Sequence, residues 1–250
     1  MATVVIRIAG PMLAWPQDSK HNERRTHYAP TYSAIQGILK AAAGVGRGDE
    51  PPDWLRNAEF GVRVESAGSP LEDFHTVAPL SNTLPYSWMS DSDIKRIKYR
   101  SVTGAGKANV NPIIGNRYYR QDAEYLVMLD DPTGNLARVL LEPRWFLYAG
   151  RKSCVLSWPF LLDTMYEADL DQALETFPTA VGQEGESKQA ILWRESPRLA
   201  DRMIKTESLP DEMQDSVAQN YMRKRRWIYR VIPEHTDSWT DVIRGNNVSK

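Results

Sequence analysis

Four histidines, His21, His27, His75 and His235, are the side chains whose ordinary pKa lets them exchange protons near neutrality. Each can serve as general base in a metal-free RNA cleavage, in which the 2′-hydroxyl attacks and a lysine or tyrosine steadies the charge. His27 is the best placed, beside Tyr28 and close to Arg24 and Arg25; His75 is the second candidate. Lone histidines are more often structural or solvated, so this chemistry stands as the alternative. Other catalytic signatures fail on context. Gly44-Val45-Gly46-Arg47-Gly48 follows a helix instead of opening one. Gly104-Ala105-Gly106-Lys107 resembles the end of a phosphate loop, but Ser101 replaces its first glycine and Ala108 the magnesium-binding hydroxyl. No histidine pair at metal-binding helical spacing and no Gly-x-Ser-x-Gly elbow exists, and one cysteine, Cys154, builds neither a disulfide nor a cysteine-rich zinc site. The chain is expected to need no cofactor and no small-molecule substrate.

Cations interleaved with aromatic rings give a stronger signal. Arginine and lysine neutralise phosphates while ring faces stack unpaired bases, which is what single-stranded RNA recognition requires. Lys95, Arg96, Lys98, Tyr99 and Arg100 supply that mixture, and Arg117, Tyr118, Tyr119 and Arg120 repeat it. The bland alternative is a solvated charged face over core aromatics. The net charge of −1 hides a segregation. From Ile94 to Gln121 every charged residue is basic; from Asp163 to Glu186 every one is acidic. A second basic cluster, Arg223 to Arg226 with Arg230, surrounds Trp227 and Tyr229. Separate basic and acidic surfaces fit an assembly component with a polyanion on one side and a protein on another.

The elements that must position these residues follow from periodicity. A chain of 250 residues with 42% hydrophobic content can bury a core without staples. Its N-terminus shows no secretory pattern and no segment reaches membrane-spanning length, so a cytoplasmic, membrane-free protein is expected. Thr3 to Ala9 alternates as a strand, with Val5 and Arg7 on one face and Val4, Ile6 and Ile8 on the other; Gly10-Pro11 is expected to end it. Pro16 to Pro30 reads as a loop. Thr31 or Ser33 then caps a helix whose Ile35, Ile38, Leu39 and Ala42 form one stripe, closed by Gly44. Strands are expected over Phe60 to Val64, around Phe74 to Ala78, over Ala123 to Leu129, and over Arg144 to Tyr148. Asp131-Pro132-Thr133-Gly134 is a turn leading to a short helix over Leu136 to Glu142. Farther on, Asp169 to Phe177 reads as helix, Leu209 to Arg225 as partly helical, and Gln189 to Arg194 and Trp227 to Ile232 as strands. Between Pro79 and Asn116 the pattern degrades as an inserted hairpin would. The order suits an α+β fold of the ferredoxin-like kind.

Several short stretches in series carry a resemblance. Gly10-Pro11-Met12-Leu13-Ala14-Trp15, Arg25-Thr26, Pro30-Thr31-Tyr32-Ser33 before Gly37-Ile38-Leu39, Asp73 to Val77, Arg117 to Ala123 and Tyr148 to Cys154 resemble, in order and spacing, the CasD family of type I-E CRISPR Cascade, within the RAMP superfamily. The resemblance covers about the first 160 residues. It implies a ferredoxin-like, RRM-like core over 1–78 and 117–160, an inserted β-hairpin thumb over 79–116, and a C-terminal extension over 161–250 that completes the core. It further implies a non-catalytic subunit that holds the 5′ handle of the crRNA, caps the backbone filament, and contacts the backbone subunit, the large subunit and, indirectly, target DNA. Relatives in another subtype cleave precursor crRNA, which keeps the endoribonuclease alternative open. The thumb is longer and more basic than the pattern.

The two lines meet on named residues. Lys95, Lys98, Arg100 and Lys107 are expected on phosphates, with Tyr99 stacking or wedging beside a base. Arg24, Arg25, Thr26, Tyr28 and Ser33 would line a handle groove at the start of the first helix, whose amides favour an anion. His75 and Thr76 would orient the handle, Arg117 and Tyr118 would join it, and Arg151, Lys152 and Ser153 would meet phosphate in a glycine-led turn.

Overall fold

The computed structural model describes residues 3–17, 23–77, 113–178, 189–195 and 226–231. Their centre is β5 (Ile113–Asp130), an 18-residue strand that changes partners halfway along. Its second half lies between β1 (Thr3–Leu13) and β3 (Phe60–Ser66), both antiparallel to it. Its first half lies between β4 (Ser69–Val77), antiparallel, and β2 (Glu23–Arg24), parallel. While β1 stays paired as far as Arg120, the partner change on the β3–β4 side falls at Asp122, which adopts φ 53°. Beside it Gly68 turns the β3–β4 corner at φ 63°, so close to the backbone of Gln121 that a Cβ there would overlap the carbonyl.

β6 (Leu161–Tyr166) pairs with the other side of β1, while β7 (Gln189–Glu195) and β8 (Arg226–Val231) extend the sheet beyond β3. The order is β6-β1-β5-β3-β7-β8, with β2 and β4 on the free half of β5. The fold is therefore mixed α+β.

Both faces of the sheet are packed. Val4, Ile6 and Ile8 join Phe60, Val62, Tyr125 and Val127 in the larger core, against α1 (Tyr32–Ala43) and α3 (Asn135–Leu141). α1 forms as its pattern requires: Thr31 caps it by accepting from the Ala34 amide, Ile35, Ile38, Leu39 and Ala42 are buried, and Gly44 ends it at φ 72°. A short turn of helix, α2 (Asp53–Arg56), leads into β3. On the opposite face Val5, Leu126 and Met128 meet α4 (Leu170–Thr176). Gly61 permits that contact, because a Cβ there would lie 2.5 Å from Leu174 Cδ1.

Two expectations are corrected. Gly10-Pro11 does not end β1: Gly10 still pairs with Ala123 and Met12 with Gln121. Proline, lacking an amide hydrogen, falls opposite the irregular Asp122, where a missing donor costs least. Arg144 to Tyr148 is not a strand. The Arg144 and Trp145 amides donate to the carbonyls of Ala42 and Ala41, closing the C-terminal end of α1 in place of a sheet ladder. β4 and β5 pair out to Val77 and Ile113, so strand structure begins before Asn116. The connection between them, and the expected helix over Leu209 to Arg225, lie outside the described residues.

Candidate nucleic-acid interface

The free half of β5 brings Arg117 beside Arg24 of β2. β2 is held beside it because the Thr26 hydroxyl accepts from the Trp15 amide at 2.7 Å, while the His27 amide donates to the Trp15 carbonyl at 2.8 Å. The loop is thus laced to the end of β1, and Arg24 comes into register with Arg117. Two like charges on adjacent strands repel unless an anion lies between them. Both side chains are exposed, and neither takes part in a salt bridge among the described residues. Arg25, by contrast, is paired with Glu23 at 3.0 Å.

Arg151 is the third cation. Its turn is tight: Gly150 adopts φ 80°, and a Cβ there would overlap the Ala14 carbonyl. The Ala149 and Cys154 amides close the turn, at 2.9 Å to the Cys154 carbonyl and 2.8 Å to the Arg151 carbonyl. That geometry lays the Arg151 guanidinium 4.4 Å over the Tyr119 ring while its Nη2 donates to the Arg24 carbonyl at 3.0 Å. Its Nη1 has no hydrogen-bond partner among the described residues. Lys152 and Ser153 are exposed on the same turn. Burial pushes the Cys154 thiol up, so this lone cysteine is an apolar filler with little thiolate.

A groove of about 200 Å³ opens next to these groups, between the first turns of α1 and the Tyr148–Gly150 turn. Thr31, Ser33, Gly37 and Pro16 line it, and the Ser33 hydroxyl lies 3.2 Å from that of Thr31. Tyr28 is half-buried nearby; the Arg120 guanidinium covers its ring at 4.9 Å, and its carbonyl accepts from the Tyr125 hydroxyl at 2.7 Å. Burial pushes the Tyr125 phenol far up, keeping it a neutral donor.

The structure brings together Arg24, Thr26, Tyr28, Ser33, Arg117, Arg151, Lys152 and Ser153 around the β2–β5 junction and the start of α1. Arg25 is close in sequence but already paired. His75 and Thr76 lie on β4, opposite Gly115 and Ile114 across β5 from β2. Tyr118 donates to Glu72 at 3.2 Å, an acceptor it shares with Asn116 at 2.7 Å. Lys95, Lys98, Tyr99, Arg100 and Lys107 lie outside the described residues. His27 is buried beneath the loop, a poor setting for a base that must reach a 2′-hydroxyl. Among the described residues no group of three or more histidine, cysteine or carboxylate side chains is arranged to hold a metal.

Tyr148, which lines the groove together with Gly150, carries no role in the sequence reading; Tyr119, read there only as one ring of a cation–aromatic run, serves as the face on which Arg151 lies. A fourth cation, Arg63, is buried on β3 and bonded to Glu65 and to the carbonyls of Leu174, Phe177 and Pro178. Nothing local in Val62-Arg63-Val64 distinguishes it from an exposed strand residue.

Comparison with known proteins gives a consistent family. The model of a family described as CRISPR-associated protein (Cas_Cas5) matches residues 3–232. The CRISPR system Cascade subunit CasD of Escherichia coli strain K12 is 28% identical over 195 residues, 72% of this chain and 78% of that protein. A chain of a CRISPR RNA-guided surveillance complex superposes with a TM-score of 0.65 over the full length of both chains at 23% identity. A crystal structure of a Cas protein superposes with a TM-score of 0.57 at 26% identity, covering 94% of this chain and all of that one.

Proposed function

Because the chain belongs to the CRISPR-associated Cas5 family, we propose that it is a non-catalytic subunit of a type I-E Cascade surveillance complex that holds the 5′ handle of the crRNA. The observation that carries this is the convergence of Arg24, Arg117 and Arg151 at one strand junction, beside the Tyr119 ring and the capped start of α1. Arg24 and Arg117 stand in register and, although Asp73 lies opposite Arg117 on β4, neither arginine forms a salt bridge among the described residues, so both remain available to phosphodiesters. The α1 amides add their dipole.

The element order β1-α1-β3-β5-α3-β6, with sheet order β6-β1-β5-β3, supports a ferredoxin-like core. The inserted segment between β4 and β5 would then be the thumb, bringing Lys95, Lys98, Tyr99, Arg100 and Lys107 to the same RNA. In this role the chain caps the backbone filament, touches the backbone and large subunits, and works in the cytoplasm; target DNA is met only through the assembly. The burial of His27 supports a holding role over precursor cleavage.

The test is retention of guide RNA in complexes purified with Arg24→Glu/Arg117→Glu. Charge-assisted hydrogen bonds are worth about 1.5–3 kcal/mol each, so each arginine should matter roughly 10- to 100-fold in affinity. The isolated chain should bind handle RNA with a salt slope of about −0.7 per phosphate neutralised. Unchanged RNA retention in the double variant defeats the proposal. Chelator-resistant cleavage of repeat RNA, abolished by His75→Ala, would instead establish the endoribonuclease.

A further inference from the structure

The groove beside the arginine junction has a second end. It follows α1 from Ser33 past Gly37 to Ala41, with Tyr148 and Gly150 on its other wall. A helical rise of about 1.5 Å per residue makes the stretch from Ser33 to Ala41 about 12 Å long. The chain from Arg144 to Gly150 runs back along it. The Arg144 and Trp145 amides are held by the Ala42 and Ala41 carbonyls, while Gly150 lies against Ala14 and Pro16 on the side of the arginines. The described residues that line the groove are all uncharged, which suits a base or a sugar better than a phosphate. Gly37 keeps its middle open. Glycine weakens a helix interior relative to alanine, and no neighbour requires it here, because a Cβ would meet nothing within 4 Å.

At the Ala41 end stand two rings. Trp145 is 46% exposed and Phe146 66% exposed, although the first is fastened to α1 by its amide. Arg144 is exposed beside them with its stem laid over Gly44, and Lys40 occupies the last turn of α1. Between Glu142 and Asp163 the sequence holds no acidic residue, and its cations are Arg144, Arg151 and Lys152. Glu142 itself lines a different groove, together with Arg138. Asp49, in the loop after α1, accepts from the Gly46 amide at 3.1 Å. A neutral groove with arginines at one end, and rings beside an arginine at the other, matches a single nucleic-acid strand: cations take phosphates and ring faces take unpaired bases.

We infer that Trp145 and Phe146 are base-stacking platforms for the RNA strand whose phosphates Arg24, Arg117 and Arg151 hold, and that the strand reaches them along the α1 groove across Gly37. The inference rests on the chain holding RNA at the arginine junction, and it extends that site by the length of the groove. Ring faces accept every base, so this contact adds affinity without selecting a sequence. A docked protein segment would use the same rings through apolar contact and leave the groove floor uninvolved.

The test measures binding of the full chain to handle RNA that carries further guide nucleotides. Trp145→Ala/Phe146→Ala should weaken binding roughly fivefold or more, the factor that loss of one stacked base brings. The unfolding midpoint and the salt slope should not change, because the rings neutralise no phosphate. Trp145→Tyr/Phe146→Tyr should bind within about twofold of the unaltered chain, since the ring faces remain. Gly37→Leu, which fills the groove floor with a better helix former, should weaken binding similarly without loss of stability. Binding within about twofold by the alanine variant or by Gly37→Leu, or a loss accompanied by a shallower salt slope, overturns the inference. In the purified complex, p-benzoylphenylalanine in place of Phe146 should join to RNA on irradiation; an adduct with protein alone, or none, also overturns it. If the alanine variant binds fully while Arg24→Glu/Arg117→Glu does not, this inference alone falls. If neither change matters, RNA is held elsewhere and the functional proposal falls with it.

Discussion

Arg63 and the pair Arg24–Arg117 show what two halves of one sheet do with the same side chain. On the packed half, Arg63 is fully buried and every branch of its guanidinium is occupied: Nε by Glu65, Nη1 by the carbonyls of Leu174 and Phe177, and Nη2 by that of Pro178. Those carbonyls sit at the C-terminal end of α4, where the helix dipole favours a cation. On the free half, Arg24 and Arg117 face solvent in register with one another. An arginine saturated by its own chain is structural, whereas Arg24 and Arg117 make no ion pair among the described residues, not even with Asp73 opposite Arg117, and can take an external anion. Arg151 lies between the cases, spending one nitrogen on the Arg24 carbonyl and its flat face on Tyr119.

The sharpest break of this contrast is Arg63→Leu. It strands the Glu65 carboxylate in the interior and removes the donors that fasten α4 to β3. Breaking a buried ion pair from one side costs about 3–5 kcal/mol. Chemical denaturation should report a loss of that size, with handle RNA affinity unchanged at temperatures where the variant is folded. Arg63→Leu/Glu65→Leu should recover part of the loss, because the uncompensated charge is gone. The Arg24→Glu/Arg117→Glu variant should do the reverse, losing RNA while keeping its unfolding midpoint. If both variants lost both properties together, the division between structural and ligand-directed arginines would fail.

Gly150→Ala tests the intermediate region. The left-handed backbone and the collision with the Ala14 carbonyl forbid a Cβ, so the turn must shift and carry Arg151 with it. Such strain costs about 1–3 kcal/mol. RNA affinity should fall with stability in this variant, since Arg151 would leave both Tyr119 and Arg24.

The contrast also explains what was legible beforehand. α1 was readable to its ends because capping, stripe and C-terminal glycine all act within a few residues, and β1 showed its two faces by simple alternation. Arg144 to Tyr148 reads as a strand by its local pattern, but the first two amides of the stretch are claimed by α1, a partner about 100 residues away in sequence that no local pattern reveals. Gly10-Pro11 reads as the end of β1 for a similar reason: the sequence shows the missing donor but not that Asp122 is irregular opposite it. At the candidate site, Arg24, Arg117 and Arg151 were legible as residue types, but their convergence depends on the parallel β2–β5 pairing of only two residues. Arg63 was illegible because burial, not spacing, makes it structural.

The smallest effect separates helix capping from anion binding at the start of α1. Thr31 is buried and its hydroxyl accepts from the Ala34 amide at 3.3 Å, whereas Ser33 is exposed and among the described residues its hydroxyl meets that of Thr31 alone. Removing a capping hydroxyl costs about 1 kcal/mol. Thr31→Ala should therefore lower stability by that amount while leaving the α1 amides free to face a phosphate, with RNA affinity within about twofold. Ser33→Ala should leave stability unchanged, and any loss of RNA affinity it causes must come from the groove it lines. Equal stability losses in the two variants would mean that the cap is shared between the hydroxyls, and that the groove hydroxyl is structural in the same sense as Arg63.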